Sequence, residues 1–209
     1  MERSQTPKGK RARERILAAA ERLIAARGFY GTSMRDIAAA ARLPLATTVY
    51  HFAKKEQIYA AVLGAIADDL ETRLQVALAE QIRDPLDALA VALVRWSAAH
   101  PSHVKLLLRE VLDNPARVAN ASRLPLAPFL AKASALLASR GAPQPEVAVL
   151  HLVGAISYFV AAWPTVERIV GAARAKQITA AYEREAIAFA QQILPPALPK
   201  RRARAGVAT

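Results

Sequence analysis

The sequence predicts an all-α protein: a small N-terminal three-helix domain of helix-turn-helix type, then a larger helical domain. Three observations predict it. Apolar residues recur at three- and four-residue spacing along most of the chain. No stretch shows strand-like alternation of useful length. Nearly all thirteen prolines fall between the periodic segments, where they suit first helical turns or connectors.

The elements follow in order. The first helix covers roughly 8–27, with Ile16, Leu17, Ala20, Leu23 and Ile24 on one face and Gly28 behind it as a C-terminal cap. The second starts at Ser33, with Asp36 three positions on in a capping-box arrangement, and runs to about Ala41. Arg42–Leu43 make the turn. Pro44 opens the third helix, which runs to about His51. A fourth extends from near Lys55 to about Ile82. A helix over 84–99 opens with Asp84–Pro85 and carries a Leu86, Leu89, Leu93, Trp96 stripe; one over 102–113 carries Val104, Leu107, Leu108, Val111 and Leu112. Then come 124–139, closed by Gly141, and 145–163, closed by Pro164. A short piece at 165–170 precedes a last helix over 172–194, ended by Pro195–Pro196. The expected domains are 8–56 and 57–195, followed by a basic disordered tail at 196–209.

Composition narrows the function. An apolar fraction of 54% in 209 residues is ample for a core. The absence of cysteine excludes disulfides, zinc fingers and thiol catalysis by this chain. The polar, basic N-terminus MERSQTPKGKRARER does not read as a signal peptide, and no uncharged apolar run reaches membrane-spanning length, so a soluble cytoplasmic protein is expected. No Ser/His/Asp set, glycine-rich phosphate loop or paired-carboxylate pattern supports an enzyme, and no metal or cofactor is expected. The net charge of +12 is unevenly placed. Residues 1–60 hold twelve Lys/Arg against five Asp/Glu, residues 61–199 thirteen against twelve, and the tail adds Lys200, Arg201, Arg202 and Arg204. A basic charge concentrated on one small domain is the footprint of a polyanion binder; on the tail it reads mainly as solubility.

Residues 28–56, GFYGTSMRDIAAAARLPLATTVYHFAKKE, are the most informative stretch. Ile37, Ala38, Ala41, Leu43 and Phe52 suit a small core holding the second and third helices at a fixed angle. A small helix with an apolar back and a hydrogen-bonding front is what a DNA major groove accepts. Residues 10–60 resemble the N-terminal domain of the TetR family of bacterial transcriptional regulators. The likeness lies in RERILAAAERLIAARGF, Thr32–Ser33, Ile37–Ala38, Tyr50–His51–Phe52 and Lys55–Glu56 at matching spacing. It implies DNA contacts from Ser33 and Arg35 at the second helix. From the third come Leu45, Ala46, Thr47, Thr48, Tyr50 and His51, with Lys54 and Lys55 beyond it and Lys55 on a phosphate. Thr48 reads equally as a solvated side chain. Arg42 stands where the family usually has glycine, so a left-handed backbone there would be strained. Lys8, Lys10, Arg11 and Arg13 read equally as a minor-groove arm or a solubilising tail.

The second domain resembles the family only in architecture. There the family implies a homodimer and a small-molecule effector. Leu150, Gly154, Tyr158 and Ala161 on one long helix, with Tyr182 and Phe189 on the next, are the dimer candidates, two helices per subunit forming a four-helix bundle. Trp96, His100, His103, Arg109, Tyr158, Phe159 and Trp163 are the ligand candidates. His100 and His103 straddle Pro101, which argues against a metal-binding helix face. The resulting expectation is a homodimeric, ligand-responsive repressor on a palindromic double-stranded operator. Two alternatives stand beside it: a helical ligand-binding module with largely non-specific DNA affinity, and an activator of the same fold.

Overall fold

The computed structural model describes residues 7–79, 85–113 and 126–193. Among them are nine helices and no strand: α1 (Pro7–Arg27), α2 (Met34–Ala40), α3 (Leu45–His51), α4 (Lys55–Ala79), α5 (Pro85–Ala99), α6 (Pro101–Asp113), α7 (Ala127–Ser139), α8 (Pro145–Val170) and α9 (Ala172–Ile193). The all-α expectation holds, as does its arrangement of a helix-turn-helix unit followed by a larger helical region. The basic tail at 196–209 and the expected helix ends at Ile82, Asp84 and 124 lie outside the described residues.

Local chemistry sets the helix ends. α1 stops at Gly28, whose φ of 76° suits glycine and whose N–H donates to the Ile24 carbonyl at 2.8 Å. α2 begins at Ser33 with the expected capping box: the Ser33 hydroxyl accepts from the Asp36 N–H, and the Asp36 carboxylate accepts from the Ser33 N–H at 2.9 Å. Arg42 adopts the left-handed conformation, φ 53°, at a cost of about 1–3 kcal/mol for a side-chain-bearing residue. Arg15 of α1 offsets part of that cost. Its Nη2 donates to the carbonyls of Ala41 (2.5 Å) and Arg42 (2.9 Å), satisfying groups that α2 leaves open as it ends.

α1 carries the α2–α3 pair and packs in turn on α4 and α6. Ile16, Ala20 and Ile24 meet Ile37, Phe52 and Ile58 in a core that continues through Val62, Ile66, Leu70, Leu89, Leu93 and Trp96 to Leu137, Leu152 and Val160. α4 and α5 pack side by side, and α8 lies between α5, α6, α7 and α9.

One boundary is corrected. The sequence reading ends a helix at Pro164 and adds a short piece; the structure has one helix through Pro164 to Val170. The proline removes one N–H donor, but the helix passes on and stops at Gly171, whose N–H donates to the Glu167 carbonyl at 3.0 Å. α8 is also long and apolar enough to cross a bilayer, its most apolar stretch having a mean hydropathy of 1.7, which corrects the expectation that no run reaches membrane-spanning length. Its Val149, Leu152, Ile156 and Val160 stripe is buried in the core.

Candidate nucleic-acid interface

α3 is short, and its back is fixed by Thr48. That side chain is fully buried, its hydroxyl lying 3.5 Å from the Pro44 carbonyl oxygen. With 100° between successive residues, a helix with Thr48 at the back presents Ala46 and Tyr50 directly outward. Val49 and Thr47 flank them, and Leu45 and His51 sit lower on the sides. Exposure follows this wheel. Tyr50 is 80% exposed, Val49 45% and Leu45 37%; Ala46 is exposed, and Thr47 and His51 are half-buried. Phe52 closes the helix from below, buried, with the Arg13 guanidinium 5.2 Å from its ring centroid. Ile37, Ala38 and Ala41 are buried beside it and Leu43 is half-buried, as their spacing suggests.

Arg35 is exposed in the first turn of α2, and Lys54 is exposed just before α4. Together with the outer face of α3 they form a surface with hydroxyl, phenol, imidazole, guanidinium and ammonium donors around a small apolar centre. Such a surface can give charge-assisted hydrogen bonds to phosphates and place Thr or Val methyls against a thymine methyl. Lys8, Lys10, Arg11 and Arg13 are helical, because α1 begins at Pro7; none forms an extended arm.

Three of the expected DNA contacts have partners or a packing role within the chain. Thr48 points into the core. The Ser33 hydroxyl is 2.6 Å from Asp36 Oδ2, and its N–H is bonded to the same carboxylate, so both its polar groups serve the cap. Lys55 turns inward: its Nζ donates to the carbonyls of Phe29 (2.6 Å) and Thr32 (2.7 Å) and sits 4.1 Å from the Phe29 ring centroid. It ties the 28–32 connection to the start of α4 and keeps only one ammonium proton for anything else. Sequence reasoning missed Val49 on the outward side of α3. Placing Thr48 at the back of the wheel would have found it.

Asp36 gives a pH-dependent prediction. The hydrogen bond from the Ser33 side chain, then that from the Ser33 backbone, holds its carboxyl below the ordinary carboxylate value. A depressed value stabilises the fold above the ordinary range, and that contribution is lost as pH falls through the native value. Ser33→Ala should therefore destabilise the fold near neutrality, and by less once pH falls through the lowered native value of Asp36. Denaturant titrations of both chains near neutrality and below that value check this; an equal cost at both would disprove the linkage.

The ligand candidates are not gathered in one cavity. Trp96 is buried, and its indole N–H donates to Asp69 Oδ2 at 2.7 Å. His100 and His103 stack face to face, centroids 4.9 Å apart, on the side of α6 turned to α1 and α4. Arg109 reaches the end of α1, its Nη1 3.2 Å from where a Cβ on Gly28 would lie. Phe159 and Trp163 of α8 stack at 4.9 Å, and Phe159 stacks on Tyr182 of α9 at 3.6 Å. Burial pushes the Tyr182 phenol up to about 12. Phe159, Tyr182 and Phe189 line an open groove of about 450 Å³ between α8 and α9. Tyr158 is not among the residues that line it and is 74% exposed; Leu150 is 60% exposed, Phe189 41%, Gly154 is exposed and Ala161 half-buried. No cluster of three metal-ligating side chains occurs among the described residues.

Known proteins resemble this chain in sequence and fold. The family described as "Bacterial regulatory proteins, tetR family" matches residues 16–62, which contain α2, α3 and the start of α4. A putative transcriptional regulator from Streptomyces coelicolor, SCO4942, is 26% identical in sequence. It aligns over 88% of this chain and 98% of its own, with a TM-score of 0.66. A member of the TetR family from Streptomyces coelicolor A3, SCO1917, is 25% identical over 88% and 98% of the two chains, TM-score 0.62. The multidrug binding protein EbrR, solved with imidazole, is 25% identical over 91% and 98%, TM-score 0.56. No curated protein matches the chain.

Proposed function

Because the chain belongs to the TetR family of bacterial regulatory proteins, we propose that it is a sequence-specific repressor that binds a palindromic operator as a homodimer and is released by a small-molecule effector. The coarser statement, a DNA-binding transcriptional regulator, follows from the family and fold. One observation supports the finer reading most: the outer face of α3, Ala46, Tyr50, Val49 and Thr47, is exposed while its back is locked by Thr48 and Phe52. A rigid helix presenting side chains with no internal task is suited to reading base edges.

The homodimer rests on the exposed apolar face of α8 and α9. Val147, Leu150, Tyr158 and Phe189 are each at least 41% exposed, and Gly154 allows close helix approach. Such a face is covered when a second copy packs on it about a two-fold axis, which spaces two α3 helices for successive major grooves. Effector response is inferred from the family and from the relative EbrR, described as a multidrug binding protein. Work on DNA places the protein in the cytoplasm.

Duplex affinity tests this reading. Tyr50→Ala and Thr47→Ala should each weaken specific binding about tenfold, the usual worth of one base or phosphate contact, and leave the dimer intact. Affinity of the parent should fall steeply with salt, by a log–log slope near −0.9 per phosphate neutralised. Unchanged affinity in both variants would remove α3 from the interface.

A further inference from the structure

The α1–α3 unit meets the rest of the molecule chiefly where α1 packs on α4 and α6. The α6 side of that contact holds an unusual polar column. His103 Nε2 lies 3.0 Å from Glu21 Oε1 of α1, the two side chains only 17% and 28% exposed. Behind His103 stands His100, at the end of α5, parallel to it within 7° and 4.9 Å away; the Trp96 ring is 5.7 Å from each. Asp69 of α4 closes the column, accepting from Trp96 and lying 3.8 Å from His100 Nε2. The column thus runs from α4 through α5 and α6 to the helix that carries α2 and α3.

Other charges lie nearby. Arg22, beside Glu21, turns to the Ala18 carbonyl. Arg73 lies against Asp69, and Arg95 pairs with Glu183. On α6 itself, Arg109 reaches Gly28, Glu110 accepts from the Tyr59 hydroxyl at 2.7 Å, and Lys105 is half-buried two positions on, around the helix from His103. Glu146, His151, Glu167 and Arg168 of α8, which also packs on α6, are all exposed. Nδ1 of His103 is buried without a hydrogen-bond partner, so the ring is oriented by Glu21 and the stack alone.

We propose that Glu21 and His103 form a proton-gated latch that positions the α1–α3 unit against the regulatory helices. A neutral His103 gives the Glu21 carboxylate one hydrogen bond. A protonated ring turns the same contact into an ion pair in a largely water-excluded site, where the added Coulomb attraction is weakly screened. Of the two rings, His103 has the shorter carboxylate contact, 3.0 Å to Glu21 against 3.8 Å from His100 to Asp69, and is the one better placed to form an ion pair. Proton uptake then stiffens the joint between the two parts of the chain. Its consequence for operator affinity rests on the function proposed above; the latch itself does not.

The test uses the full chain, which has no native cysteine. Spin labels at Arg35→Cys on α2 and Ala135→Cys on α7, diluted with unlabelled protein, report the spread of distances across the joint. The parent's distribution should narrow between about pH 8 and about pH 6, the range in which histidine changes charge. Glu21→Gln and His103→Gln should be broad at both, and His103→Lys narrow at both, because its charge is permanent. His100→Gln keeps the response, which separates the latch from the stack behind it. A parent distribution that ignores pH, or a pH-responsive Glu21→Gln or His103→Gln, would overturn the latch. In parallel, duplex affinity should shift several-fold with pH in the parent and not in His103→Gln. A responsive joint in a chain that binds no duplex would uphold the latch and refute the functional reading instead.

Discussion

Lys55→Met lowers the stability of the N-terminal three-helix unit by about 4 kcal/mol, and DNA binding fails because the unit loosens. The side chain gives two charge-assisted hydrogen bonds to the Phe29 and Thr32 carbonyls and rests on the Phe29 ring. Hydrogen bonds to a charged group are each worth about 1.5–3 kcal/mol, and the exposed cation–π contact adds about 0.5–1 kcal/mol. Methionine keeps the length and loses every donor, leaving two part-buried carbonyls open. Tyr50→Ala is the contrast: the ring is 80% exposed, so stability should stay within about 0.5 kcal/mol while duplex affinity falls. Urea melts followed by circular dichroism separate the two. A Lys55→Met chain as stable as its parent, but deficient on DNA, would return Lys55 to the phosphate-contacting role that the family resemblance implies.

Leu150→Glu combined with Tyr158→Glu yields a monomer. Both side chains stand on the exposed face of α8, 60% and 74% accessible, and an interface about a two-fold axis uses each position twice. Burying such a side chain is worth about 1.5–3 kcal/mol, so four losses, with carboxylates brought together across the axis, exceed what a helical interface of this size retains. Light scattering at micromolar concentration measures the mass. Operator affinity should fall by orders of magnitude, because two linked half-site contacts become two independent ones. A variant that stays dimeric would place the subunit contact elsewhere than α8 and α9.

Much of the fold was legible in the sequence, because its signals are local. The α2 capping box, the Gly28 stop and the left-handed Arg42 each depend on a few neighbouring residues, and the structure shows all three. Pro164 misled for a physical reason: a proline in a helix removes one hydrogen bond, and the packing of α8 over its length outweighs that local loss. The candidate site was legible by residue type more than by direction. Thr48 and Lys55 carry polar groups suited to DNA, yet one fills the core and the other binds carbonyls more than twenty residues away. Side-chain direction depends on where α1 and the 28–32 connection lie, which no spacing within α3 encodes. The Glu21–His103 contact was equally invisible, since its partners are far apart in sequence and meet only when α6 packs on α1.

The central claim is that the outer face of α3 reads a defined DNA sequence in two symmetric copies. Selection from a pool of random duplexes by the purified chain, at physiological salt and with excess competitor DNA, tests it most directly. The account predicts recovery of one two-fold symmetric motif by the parent, and loss of its enrichment with Tyr50→Ala. Bound duplexes with no shared motif, or the same motif at undiminished strength with Tyr50→Ala, would contradict it.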